Sequence, residues 1–116
     1  MDLLTKHDIL LAVDLPQEAV EVPEWGGVVM VRGLDGAGRD AFELSIKSPG
    51  ADADMSNIRA KLVGRCLIDD HGGRLFGEDE IEMLGRKSAA ALNRVFVVAQ
   101  RLSGLTEGDV DSLKKG

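Results

Sequence analysis

Glu18-Ala19-Val20-Glu21-Val22-Pro23-Glu24-Trp25-Gly26-Gly27-Val28-Val29-Met30-Val31-Arg32 is the stretch whose reading decides the fold. From Gln17 to Pro23, Glu18, Val20 and Val22 alternate with Ala19 and Glu21 at a period of two, as in a half-buried strand. Trp25-Gly26-Gly27 supplies positions that tolerate positive φ, and Val28-Val29-Met30-Val31-Arg32 is a second β-branched run. Together these predict a β-hairpin over 17–33, paired across 18–32, with its turn near 24–27.

The flanks read as helices. Upstream, Thr5 and Asp8 can cap and charge the first turn of a helix that carries Ile9, Leu10, Leu11 and Val13. That helix is expected to last until Leu15, where Pro16 disfavours helix in the residue before it. Downstream, Asp35 caps a helix over 35–48, with Phe42 and Ile46 on one face and Ala41 and Leu44 beside them. Ser48-Pro49-Gly50 ends it, and 51–55 is a small polar loop. Ser56 or Asn57 caps the next helix, 57–68, in which Ile58, Leu62 and Cys66 recur every four residues. Asp69-Asp70-His71-Gly72-Gly73-Arg74 is a strong turn, so 66–69 and 74–76 are expected to make a tiny second hairpin. A helix over 78–85 begins with Glu78, Asp79 and Glu80 in its positive first turn. The longest helix covers 88–103 and is stopped by Gly104. Thr106-Glu107-Gly108-Asp109 starts a last helix through Leu113, within a frayed C-terminal tail over 106–116. A hairpin followed by helices is not the βαβ alternation of a parallel sheet. The expected class is therefore α+β: one helix-dominated domain, an N-terminal β-hairpin packed with about five α-helices.

Composition narrows the function. The chain has 116 residues, and 44% of them are hydrophobic, which is a globular proportion and not that of a disordered chain. At this length about 6,100 Å² of folded surface is expected against about 18,000 Å² unfolded, enough for one core. The net charge of −6 disfavours phosphate-reading grooves and anionic membrane surfaces, so neither nucleic acid nor membrane is an expected partner. No run approaches the ~18 apolar residues of a membrane span, and residues 1–6 lack a signal-peptide pattern. The single cysteine, Cys66, has no intrachain partner, which fits a reducing cytoplasm.

The candidate chemical motifs each have a plainer reading. Gly36-Ala37-Gly38-Arg39-Asp40-Ala41 matches G-x-G-x-x-A, but an antiparallel strand precedes it and a helix pair follows. Asp35 would also set negative charge beside a pyrophosphate, so a capped helix start explains the run better. Asp52, Asp54 and Ser56 begin like a calcium loop, yet Asn57 stands at the glycine position and Val63 at the bidentate one. Residues 69–80 fail likewise, with Arg74 in the glycine place. Consecutive Glu78, Asp79 and Glu80 point in different directions from a helix and read as a solvated first turn. Cys66 is in register with Ile58 and Leu62 and reads as a small core hydrophobe, while His7 and His71 are too few to build a zinc site. No catalytic, cofactor-binding or metal site is expected.

Surface for a partner is what remains. At 100° per residue, Ala90, Arg94, Val97 and Arg101 on the 88–103 helix fall within about 60° of one another. Val95, Phe96, Val98, Ala99 and Leu102 already fill the core-facing side. Val97 therefore lies inside a polar stripe, as at an interface. Trp25 at the hairpin tip is a second candidate anchor. The candidate partner-binding residues are Trp25, Ala90, Arg94, Val97 and Arg101.

Several segments, taken in order, resemble one family. They are Leu15-Pro16, Val20-Glu21-Val22-Pro23-Glu24-Trp25-Gly26-Gly27, Val31-Arg32-Gly33-Leu34 and Arg39-Asp40-Ala41-Phe42-Glu43. Further on come Asn57-Ile58-Arg59-Ala60-Lys61-Leu62-Val63, Arg74-Leu75-Phe76, Lys87-Ser88-Ala89-Ala90-Ala91-Leu92-Asn93-Arg94 and Gln100-Arg101-Leu102-Ser103-Gly104-Leu105. Across almost the whole chain this is similar to the small tail assembly chaperones of long-tailed bacteriophages and prophages of actinobacteria. Gly36 and Gly38 depart from the helix formers expected there.

The resemblance implies a non-catalytic protein of the host bacterial cytoplasm, without cofactors. It would coat and solubilise the tape measure protein, self-associate, meet the tail tube protein transiently, and be left out of the mature virion. It also implies a longer form made by ribosomal frameshifting, near Lys114-Lys115. The alternative is a structural head–tail adaptor or other morphogenesis protein.

Overall fold

A computed structural model describes residues 2–47 and 54–114. Three strands form one antiparallel sheet in the order β1-β2-β3: β1 Gln17–Val22, β2 Gly27–Arg32 and β3 Leu67–Ile68. Six described helices surround it: α1 Lys6–Leu11, α2 Gly36–Ile46, α3 Ile58–Cys66, α4 Ile81–Leu84, α5 Ala89–Leu102 and α6 Glu107–Lys114. The class is α+β, as expected.

The hairpin pairs Gln17 with Arg32 through to Val22 with Gly27. Its period-two pattern sends Val20, Val22, Val29 and Val31 to one face. α3 and α5 close over that face. Phe42 and Ile46 from α2, Leu62, Val63 and Cys66 from α3, and Val95 and Ala99 from α5 are all but fully buried there. The chain turns at a 3₁₀ segment, Pro23–Trp25, which Gly26 ends at φ 78°. A left-handed φ of that size favours glycine. The caps on α2 and α5 follow the sequence: Asp35 Oδ1 accepts from Gly38 N at 2.7 Å and Ser88 Oγ from Ala91 N at 3.2 Å.

Four expectations need correction. The first helix ends at Leu11 and not at Leu15, because Ala12 is extended at ψ 132°. No residue of α1 is buried, and without packing a short helix has little to extend it. The second correction concerns the small hairpin. Leu67 and Ile68 leave α3 early and pair with Val31 and Met30, making a third strand of the main sheet. The expected pairing with 74–76 forms as well, through the bridge between Ile68 and Arg74 and the Leu75 N–H donated to the Leu67 carbonyl at 3.0 Å, so the small hairpin is joined to the main sheet. Leu67 and Ile68 are buried there, and Leu67 spends its own backbone elsewhere: its N–H donates to the Val63 carbonyl and its carbonyl accepts from Leu75 N.

Third, neither Ser56 nor Asn57 caps α3 through its side chain; Asn57 is left-handed at φ 57° and its Nδ2 donates to the Ile81 carbonyl at 3.5 Å. Fourth, 78–85 divides into a 3₁₀ turn, Glu78–Glu80, and the short α4. The last helix forms as expected, as α6. Thr106 Oγ1 accepts from Asp109 N at 3.0 Å and Asp109 Oδ2 from Thr106 N at 2.8 Å, a capping box that starts it. The Ser48-Pro49-Gly50 helix stop, the loop start at 51–53 with Asp52, and Lys115-Gly116 lie outside the described residues.

Candidate partner-binding surfaces

On α5, Ala90, Arg94, Val97 and Arg101 all lie exposed, spaced four, three and four residues apart along one stripe. Val97 is 54% exposed at its centre. The two arginines are committed to the hairpin. Arg94 grips Glu24 through both guanidinium ends at 2.6 and 2.9 Å, and Arg101 Nη2 donates to both oxygens of Glu18 at 2.8 and 2.9 Å. These pairs strap the outer side of α5 to β1 and to the turn after it. The Arg94 hydrogen bonds hold the Glu24 carboxyl far below its ordinary value, at about 2. What the stripe offers a partner is therefore an apolar ridge, Val97 and Ala90, framed by neutralised charge.

The structure sets Trp25 apart from that stripe. Its indole is half-buried against the core, with Nε1 buried and unpartnered among the described residues. It lines an apolar cleft of about 380 Å³ with Val29, Leu67, Leu75, Phe76, Met83 and Leu84, and Lys87 beside them. The five sequence candidates thus divide into four on one helix face and one in a cleft. Cleft members Leu75 and Met83, 49% and 55% exposed, were missed by sequence reasoning because each looks like an ordinary core residue at the end of a short element.

The N-terminal segment is the other surface the sequence did not disclose. Leu3, Leu4, Ile9, Leu10, Leu11 and Val13 are between 58% and 98% exposed. A signal was present: Ile9, Leu10 and Leu11 are consecutive, so they wrap around a helix and cannot all face one core.

The chemically suggestive residues do not converge. Cys66 is fully buried, burial pushes its thiol up to about 11, and its Sγ lies 3.8 Å from Ser103 Oγ. His71, its side chain 89% exposed, lies in the turn beside Asp70. A thiol held protonated and away from an imidazole is no activated nucleophile. Among the described residues no three His, Cys, Asp or Glu side chains gather in a metal-binding group. A polar hollow of about 590 Å³ holds Asp54, Lys61, Arg65, Glu78, Glu82 and Arg86, and these pair off among themselves. The Gly36 to Ala41 run starts α2 under the Asp35 cap. No described helix is long and apolar enough to cross a membrane.

No known family model matches the sequence, and no curated protein matches it. Among solved structures, the fold is similar to that of the bacteriophage HK97 tail assembly chaperone, with a TM-score of 0.60 at 20% identity, over 83% of this chain and 94% of that one. The chain thus shares the fold of a phage tail assembly chaperone.

Proposed function

We propose that this chain is a tail assembly chaperone of a long-tailed phage or prophage of actinobacteria, which binds the tape measure protein and keeps it soluble while the tail tube polymerises. The observation that carries the reading is the fold shared with the HK97 chaperone over nearly the whole of both chains. The surfaces suit the task. A tape measure protein is long and helical, and its apolar stripes are covered by a helical ridge such as Ala90 and Val97. Exposed patches of this modest size bind weakly one at a time, so many copies along one client give firm yet reversible coverage. Release follows as tail tube protein displaces them. The role is non-catalytic, is carried out in the host cytoplasm, and leaves the protein outside the mature virion.

Co-expression with the tape measure protein of the same genome is the direct test. A soluble complex recovered by affinity capture is expected, with the tape measure protein insoluble when expressed alone. A client that stays insoluble and uncaptured would overturn the reading. Mass spectrometry of purified particles supplies the second check, because a stoichiometric copy number in virions would point to a head–tail adaptor instead.

A further inference from the structure

We propose that residues 2–14 form an arm whose apolar helix seats in the Trp25 cleft of a second copy of this chain. The inference rests on the self-association that accompanies the chaperone reading, but it names the contact. α1 is a prepared element. Thr5 Oγ1 accepts from Asp8 N at 3.1 Å, and Asp8 Oδ2 accepts from Thr5 N at 2.9 Å. These bonds order a helix none of whose residues is buried in its own chain. The cleft is the matching half: an apolar concavity between Trp25, Val29, Leu75, Phe76 and Met83, within the ~300–1,000 Å³ of binding clefts.

Area identifies the occupant. The surface of the chain is 7591 Å², against about 6,100 Å² for a monomer of its mass. That excess of about 1,500 Å² is more than the about 800 Å² per partner that a standard interface takes. Charge agrees with this: Asp2, Asp8 and Asp14 outnumber Lys6 on the arm, and Lys87 stands at the cleft. The arm also leaves the hairpin at Gln17, about 17 Å of strand from Val22 and the Trp25 turn. Its own cleft lies at the other end of the hairpin.

The test uses the whole protein alone, so it fails or succeeds separately from client capture. Trp25 is the sole tryptophan and reports on the cleft. Sedimentation velocity across a concentration series should show association, with a blue shift of Trp25 emission in step. Leu10→Asp should weaken association at least tenfold with an unchanged melting curve, since Leu10 is 76% exposed and supports no core. Met83→Glu in the cleft should weaken it similarly. A synthetic peptide of residues 2–14 should restore the emission shift to the Leu10→Asp chain. A wild-type chain that stays monomeric, or a Leu10→Asp chain that associates like wild type, overturns the proposal. So does a Trp25 emission that ignores concentration and peptide, or one already shifted in the monomer, which would place the arm in its own cleft.

Discussion

Gly33 sits where three parts of the chain meet. Its N–H donates to the Pro16 carbonyl at 3.0 Å, which ties the end of β2 to the start of β1. The next residue, Leu34, donates its N–H to Ser103 Oγ at 2.9 Å, just past the end of α5. A Cβ on Gly33 would run into the Leu102 carbonyl oxygen. That oxygen belongs to backbone and cannot swing aside as a side chain would. Gly33→Ala is therefore expected to destabilise the domain by about 1–3 kcal/mol, read as a lower urea midpoint at unchanged slope. The sequence shows a glycine at the end of a strand; it does not show the helix end 69 residues later that requires it. Cys66 is the opposite case. Its four-residue register with Ile58 and Leu62 was visible in the sequence, and it lies fully buried on α3 beside Leu62.

Local pattern and tertiary context decided different elements. The hairpin, α2 and α5 carry their own periodicity and caps, and their positions were readable to within a residue or two. β3 was not, because Leu67-Ile68 becomes a strand only by meeting Val31 and Met30 of β2. The straps between α5 and the hairpin were invisible for the same reason, since Arg94 and Glu24 are 70 residues apart. They carry a pH signature. The Arg94 hydrogen bonds depress the Glu24 carboxyl from 4.5 to about 2, so the paired form is favoured at neutral pH. The pair's contribution is complete above 4.5 and disappears as pH falls towards 2. In solvent such a pair contributes little, so the carboxyl itself is the sensitive reporter. Carbon NMR titration of Glu24 should find its midpoint near 2 in the wild type and raised towards its ordinary value in Arg94→Met, where only the backbone hydrogen bond still lowers it. An equal midpoint in both chains would break the strap.

On the scale of the whole molecule, the described residues expose apolar surface at the arm, the Trp25 cleft and the α5 ridge, besides Val28, Met30 and Leu44. The sheet and the helices packed on it account for the core. The arm and the ridge lie outside it and the cleft opens at its edge, and a monomer that keeps all three exposed invites association. If the arm and cleft join copies, the α5 ridge remains free for a client, and the two jobs should separate by mutation. Val97→Asp places a carboxylate at the centre of the ridge, on a residue 54% exposed with solvent available to it. Its stability should stay within about 0.5 kcal/mol of wild type, as for surface substitutions in general. A charge in the middle of an apolar contact should nevertheless weaken client binding at least tenfold, measured by titrating a tape measure segment against labelled chaperone. Sedimentation of Val97→Asp alone should match wild type, while Leu10→Asp should show the reverse pattern, weak self-association with client affinity per chain retained. Were Val97→Asp to unfold the domain, the ridge would be core after all. Were it to abolish self-association and spare the client, the assignments of ridge and cleft would have to be exchanged.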